Sequence, residues 1–420
     1  MHAQGVRLPY MSEEEKIRPD AQVVAAAPAG WYVLGVLSLL MGFGSISTDL
    51  YLPAMPAMGR ALGTDAGMIE LTISGYLIGF SLGQLLWGPI SDRYGRRPSV
   101  SAGLIFFIIG SAGCALARTA EALIAWRIAQ AVGACACVAL SRAMVRDLYE
   151  GNRAAQMLST LMTIMTIAPI LGPLVGGQIV ALAGWRAVFW ALVTVGTLTF
   201  AFLWTIPETL PARRRNTESL GLAMRYYGEL LRHRKILGYA ITGGFLYVGM
   251  FAYVAGTPFI YINYYHVSER QFGYFWGIVI AGAAAANLIN AKLVIRHGYD
   301  RILLTGTMVM ALAAFVVAGT AGTGWGGIWG LVLPLFVFVS SIGFIVANSV
   351  AGAMTCFPRR AGTVSALVGA IHYGSGIIGS ALVGLLADGT PWPMGLIIGM
   401  TGVGCLLSTS LLLKKAGPIL

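Results

Sequence analysis

Gly88-Pro89-Ile90-Ser91-Asp92-Arg93-Tyr94-Gly95-Arg96-Arg97-Pro98 is a short basic stretch set between two long apolar ones, residues 68–90 and 99–117. A helix needs about 20 mostly apolar residues to cross a bilayer. Each flank therefore reads as a span, and the basic stretch as the turn that joins them. Loops rich in Lys and Arg stay on the cytoplasmic side during insertion. This one hairpin thus predicts both a helical membrane architecture and its direction.

The rest of the chain repeats the pattern. Of 420 residues, 57% are apolar and 11% charged, against roughly 25% charged in a soluble domain. The 55 glycines lie mostly within apolar runs, where membrane helices tolerate them. Twelve spans are predicted, at 31–56, 68–90, 99–117, 121–144, 155–183, 186–206, 237–262, 272–292, 302–320, 327–353, 361–387 and 393–413. With both termini inside, only Arg60, Arg118, Arg186 and Arg270 fall on the outer side and only Arg127 within a span; the remaining Lys and Arg, Arg142 among them, fall on the cytoplasmic side. The net charge of +11 is accounted for by this bias and calls for no nucleic-acid partner.

The longest interior polar stretch, Pro207 to Lys235, divides the chain in two. The predicted organisation is a cytoplasmic tail over 1–30, a six-helix bundle over 31–207, a cytoplasmic central loop over 208–236, a second six-helix bundle over 237–413 and a tail over 414–420. Asp92, Arg93, Gly95 and Arg96 are echoed by Arg296, Gly298, Asp300 and Arg301 between spans eight and nine. Pseudo-symmetric halves of this kind are the mark of transporters that rock one half against the other.

Among the acidic residues only Asp49 lies well inside an apolar run; Glu70, Glu121 and Asp388 sit at span ends. A charge in hydrocarbon costs at least about 2.5 to 3.5 kcal/mol on insertion scales and is functional by default. Span one runs outward and span four inward, so Asp49 and Arg127 fall at comparable depths. Asp49 reads as a protonation site whose occupancy alternates with substrate; the plainer alternative is a structural ion pair joining spans one and four. The second half holds no deep charge apart from His372, which reads as a packed or hydrogen-bonded histidine. Cys114, Cys135, Cys137, Cys356 and Cys405 show no metal-like spacing and read as small packing residues.

At these residues the chain resembles the major facilitator superfamily and, within it, the drug:proton antiporters of the bicyclomycin-resistance (Bcr/CflA) type. The 88–98 stretch is similar to the superfamily's loop between spans two and three. Its Asp92, Arg93, Arg96 and Arg97 are expected to form, with Arg146 or Asp147 at the inner end of span four, a charge network that locks one conformation and breaks in the other. Ser47-Thr48-Asp49-Leu50-Tyr51-Leu52-Pro53-Ala54-Met55-Pro56 is similar to the end of span one in this subfamily, where the resemblance implies that the acid binds protons. Arg127-Ile128-Ala129-Gln130-Ala131-Val132-Gly133 resembles the span-four motif whose arginine is implicated in proton transfer. Ala168-Pro169-Ile170-Leu171-Gly172-Pro173-Leu174-Val175-Gly176-Gly177 resembles the antiporter motif of span five; physically, Gly172 and Pro173 free backbone groups and bend the helix, while Gly176 and Gly177 permit close helix approach. The likeness covers residues 31–413, including Pro207-Glu208-Thr209-Leu210 at the end of span six. Some related transporters carry a second acid about two turns earlier in span one; here that region is Met41, Gly42, Phe43, Gly44, so Asp49 is expected to act alone.

Tyr76, Gln130, Met165, Tyr247, Phe251 and Asn287 are candidates for the wall of a substrate cavity. Tyr247 and Phe251 are four apart and share a helix face, as Asn287 and Asn290 do at three apart. The expected activity is secondary active export of small amphipathic antibiotics, bicyclomycin-like or chloramphenicol-like, with the proton as coupling ion, no other cofactor and a monomer in the bacterial inner membrane. A proton entering down about 100 mV releases roughly 2.3 kcal/mol, enough with one acid for a neutral drug and poor for a dication. The alternative is a proton-coupled exporter of an amino acid or peptide. No Gly-Lys-Ser/Thr nucleotide loop is present, which excludes ATP drive by this chain itself.

Overall fold

A computed structural model of the chain describes residues 30–149, 151–215, 220–357 and 360–414; of the predicted tails over 1–30 and 414–420 only Gly30 and Lys414 are described, both as helix ends, and the rest lie outside the described residues. The described residues form helices and turns with no strand among them. The first half runs α1 (Gly30–Asp49), a 3₁₀ turn (Leu52–Ala54), α2 (Met55–Leu62), α3 (Ala66–Tyr94), α4 (Arg96–Leu116), α5 (Ala120–Leu148), α6 (Gly151–Ala183) and α7 (Trp185–Leu203). A short connecting helix α8 (Leu220–Leu230) lies within the central stretch predicted as loop. The second half runs α9 (Arg234–Phe259) with a π turn (Ile260–Tyr264), α10 (Glu269–His297), α11 (Tyr299–Thr323), α12 (Gly327–Ser340), α13 (Ile342–Thr355), α14 (Ala361–Leu385) and α15 (Trp392–Lys414).

Eleven helical segments among the described residues are long and apolar enough to cross a membrane. The remaining predicted span, the fifth at 155–183, falls on α6, of which Ile167–Ala183 is apolar. Their outward faces carry large apolar side chains such as Leu82, Leu312, Phe315 and Leu385, since lipid offers no penalty against exposing them.

The breaks have local causes. Pro53 has no N–H for the carbonyl of Asp49 and Pro56 none for that of Leu52, so the α-helix stops at Asp49 and restarts at Met55. Pro258 acts similarly near the end of α9, where the chain widens into the π turn. Gly95, with φ of 104°, joins α3 to α4 as a single residue, and Gly298, with φ of 74°, joins α10 to α11 in the same manner. The two echoing loops are therefore alike in shape as well as in residues. Only glycine adopts these positive angles without strain.

Within the first half α5 packs on α3, α4 and α1, and α6 packs on α1. Small residues bring backbones together: Gly79 lies against the Ile128 carbonyl and Gly133 against the Gly103 carbonyl and Phe107. Within the second half α9 packs on α14 and α15, and α11 on α15. The halves meet along two seams, α3 with α14 and α6 with α10. Away from the basic 88–98 loop these seams close tightly: Gly67 touches the Gly384 carbonyl, Gly177 touches that of Glu269, and Arg60 reaches Glu269 at 3.5 Å. Ser74 and Ser380 share a hydrogen bond of 2.8 Å further in.

Candidate functional site: a caged arginine, a buried carboxylate and a charge lock

Arg127 on α5 is fully buried. Its Nη1 donates to the Ser47 carbonyl at 2.8 Å and to Gln130 Oε1 at 2.5 Å. That carbonyl lies in the last turn of α1, where intrahelical donors run out. Gln130 is held in turn, donating from Nε2 to Ser111 Oγ at 2.8 Å. The guanidinium carbon stands 4.3 Å from the centroid of the Tyr51 ring and 4.3 Å from that of Tyr76. Tyr51 is fixed by Thr72 at 2.8 Å and Tyr76 by Ser47 at 2.6 Å. Two ring faces thus hold the cation, an arrangement worth about 2 kcal/mol or more per ring once water is excluded. Its Nε and Nη2 make no hydrogen bond.

Asp49 is the last residue of α1 and is also buried. Among the described residues it forms no ion pair, with Arg127 or any other cation; its side chain accepts one hydrogen bond, from Thr48 Oγ1 at 3.4 Å. The structural ion pair between spans one and four is thus replaced by a different connection, in which Arg127 grips the backbone two residues before Asp49. The Cβ and backbone of Asp49 instead pack against α6. A Cβ placed on Gly172 would stand 2.8 Å from the Asp49 Cβ, and one on Gly176 would run into the Leu50 carbonyl. Gly177, one residue on, is pressed against Glu269 of the second half. The Gly172-to-Gly177 stretch, bent by Pro169 and Pro173 inside α6, is therefore wedged between the Asp49 turn and the opposite half.

At the basic end, Arg96 bridges Asp92 at 2.5 Å and Asp147 at 2.8 Å, and donates to Ser91 Oγ at 2.6 Å. Glu208 completes the lock by accepting from the backbone N–H groups of Arg96, Arg97 and Leu210 at 2.8, 3.1 and 2.9 Å. The expected network is narrower than its motif. Arg93 lies over Tyr94 and Arg97 over Trp204, while Arg146 is exposed; among the described residues none of the three forms an ion pair. Glu208 was visible in the Pro207-to-Leu210 stretch but gave no sign of reaching back to α4.

The six cavity candidates do not share one wall. Tyr76 and Gln130 belong to the Arg127 cage. Met165 is half-buried on α6, and Asn287 is exposed on α10, apart from the aromatic residues. Asn290 does not share its exposure: it is buried and accepts from Asn348 Nδ2 at 2.7 Å. Tyr247 and Phe251 do meet, in a larger aromatic cluster: Tyr247 stacks on His372 at 4.9 Å, and Tyr373 stands 5.3 Å from Tyr247, 6.1 Å from Phe251 and 4.5 Å from Phe80 of the first half. His372 is packed by stacking and by Gly243, and its Nε2 makes no hydrogen bond.

Two charged residues are deeper than their sequence positions suggested. Glu70, placed at a span end, is buried one turn inside α3 with Oε2 unpartnered, in a small cavity between the halves of about 70 Å³ that Phe259, Val383 and Met394 also line. Arg142, assigned to a cytoplasmic segment, lies inside α5, nearly two turns before its end. In both cases the helix simply continues past the polar residue, which hydropathy alone does not reveal.

A family model described as the Major Facilitator Superfamily matches residues 37–380. A bicyclomycin resistance protein homolog of Haemophilus influenzae is 30% identical, over 91% of this chain and 97% of its own. A chloramphenicol resistance protein of Pseudomonas aeruginosa is 32% identical, over 86% of this chain and 87% of its own. The solved structure of the xylose transporter XylE from E. coli superposes with a TM-score of 0.71 at 17% identity, covering 95% of this chain and 98% of that one.

Proposed function

The chain belongs to the major facilitator superfamily, and from that premise we propose that it is a proton-coupled exporter of small amphipathic antibiotics working by alternating access. As a member of that family it is a multi-pass membrane transporter and not an enzyme. The names of the Haemophilus and Pseudomonas relatives support bicyclomycin-like and chloramphenicol-like substrates. The protein works as a monomer in the inner membrane, with the basic 88–98 end and both termini in the cytoplasm, as the distribution of Lys and Arg favours.

In this reading Asp49 carries the proton. The observation that carries it is a buried carboxylate without an ion-pair partner at a helix break, packed on Gly172. Arg127 keeps the last turn of α1 in register and its positive field near the acid. Protonation removes the charge from the Asp49 turn, and α6 transmits any movement of that turn to Glu269 in the other half. The Arg96 lock at the basic end opens and re-forms with each cycle.

The test is proton release from acidified inverted vesicles on addition of chloramphenicol or bicyclomycin, for the intact protein and Asp49→Asn at matched expression. Release that requires Asp49 supports the reading. Equal release from both proteins overturns the role of Asp49, and release by amino acids or peptides with none by drugs overturns the substrate class.

A further inference from the structure

We propose that Arg142, with Tyr247 and Tyr373, forms a subsite for the anionic group of a flat aromatic substrate, so that aromatic monocarboxylates are a preferred substrate class. This rests on the exporter reading for its physiological meaning and on the geometry alone for the binding itself.

Arg142 sits fifteen residues after Arg127 on α5, about 22 Å along the helix axis. A long helical side chain points back toward the helix N-terminus, here away from the basic end. Its electrostatic neighbours are Tyr373 and Tyr247 of the second half, and Cys135 and Arg146 of its own helix. Among the described residues Arg142 has neither an ion pair nor a hydrogen bond, and no carboxylate figures among those neighbours. Arg127 is the instructive contrast, since two rings, Ser47 and Gln130 enclose it completely, whereas Arg142 remains half-open.

The surroundings supply the remaining recognition. Phe80, Tyr247, Phe251 and Tyr373 come from both halves, with centroid separations of 4.5 to 6.1 Å around Tyr373; Phe80 and Phe251 are buried behind Tyr247 and Tyr373, which keep part of their surface open beside Arg142. An aromatic cluster alone favours cations. A guanidinium at its edge reverses that preference, because its planar fork is weakly hydrated and matches a carboxylate in two hydrogen bonds. An unpaired cation inside a membrane protein is costly, and a bound anion relieves that cost.

The choice of charge also suits a single coupling acid. Exchanging one entering proton for one leaving monoanion moves two charges in the favourable direction. Each is worth roughly fifty-fold in gradient at about 100 mV, against none for exchange with a monovalent cation.

The experiment measures equilibrium binding of 1-naphthoate and of its neutral amide, 1-naphthamide, to the full chain purified in detergent without any proton gradient. The intact protein is expected to bind naphthoate more tightly. Arg142→Gln is expected to weaken naphthoate about tenfold to a hundredfold, the worth of a hydrogen-bonded charge, and naphthamide less than about twofold; Arg142→Lys recovers part of the loss. Retained naphthamide binding shows that the variant is folded, and where Arg142→Gln does not fold the comparison is made with Arg142→Lys and Tyr373→Leu. No naphthoate preference in the intact protein, no naphthoate binding at all, or equal losses for both probes overturns the proposal. Because no transport is measured, failure of drug-driven proton release leaves this result standing, and the converse holds too.

Discussion

Gly172 leaves no space for a side chain beside Asp49: a Cβ there would stand 2.8 Å from the Asp49 Cβ and 3.3 Å from its carbonyl carbon. The antiporter-type motif of α6 and the embedded acid of α1 are thus one contact. Movement of the acid's turn cannot occur without movement of α6, because tightly packed backbones have nowhere to yield.

Gly172→Ala is therefore expected to cost about 1 to 3 kcal/mol, the usual penalty of overpacking, and to reduce drug-dependent proton release severalfold or more. Gly35→Ala on α1, the helix that carries Asp49, where a Cβ meets nothing within 4 Å, is the control. Equal behaviour of the two variants in thermal unfolding and in vesicle assays would falsify the coupling through Gly172.

The cage around Arg127 predicts that charge alone is insufficient. Arg127→Lys keeps the cation and loses the planar guanidinium held between the two rings, from which Nη1 reaches the Ser47 carbonyl and Gln130, so it is expected to lower stability by about 1 to 3 kcal/mol. Tyr51→Leu and Tyr76→Leu are each expected to cost about 2 kcal/mol or more. In an Arg127→Met background the ring substitutions should matter much less. Additive losses in that double-mutant comparison would show that the rings serve only as packing.

Glu208 accepts three backbone N–H groups around the α3–α4 turn. Glu208→Gln keeps the size and replaces a charged acceptor by a neutral one, weakening each bond by roughly half. Amide hydrogen exchange across residues 94–99 is expected to rise at least severalfold, with α11 unchanged. Gly95→Ala should act in the same direction, since its φ of 104° is unsuited to a side chain and a Cβ there meets the Glu208 carboxylate. Protection in residues 94–99 that is unaltered in both variants would refute the lock.

In the loop between α14 and α15, Asp388 accepts from the Thr390 hydroxyl at 2.7 Å and its N–H at 2.8 Å. The hydroxyl, then the N–H, hold the Asp388 carboxyl below the ordinary carboxylate range. A lowered folded value contributes stability that is present above the unfolded value, near 3.9, and lost as pH falls through the folded one. Thr390→Ala should therefore be slightly less stable than the intact chain at pH 7, by less than about 0.5 kcal/mol because the loop is exposed, and the difference should shrink as pH falls below the unfolded value. A difference that grows on acidification would contradict this assignment.

Hydropathy and the placement of Lys and Arg were sufficient to read the spans and their basic end, because lipid forces every spanning segment to satisfy its own backbone and to carry an apolar surface. The motifs around Asp49, Asp92, Arg127 and Gly172 were also legible, being local patterns of unusual residues in an apolar chain. Partners were not. Whether Arg127 met Asp49 or two tyrosine faces, whether Arg146 or Asp147 answered Arg96, and whether Glu208 returned to α4 depended on helix rotation, and a 100° change per residue turns a contact away. Glu70 and Arg142 escaped for a related reason: polarity near the end of an apolar run reads as a loop, whereas the helix carries it inward when a seam between the halves receives it. The sequence by itself thus determined that this chain spans a membrane, with what bias and with which rare charged residues. Only the tertiary structure decided which of those charges are caged, which are paired and which face the space between the halves, since that is settled by packing between helices far apart in the chain.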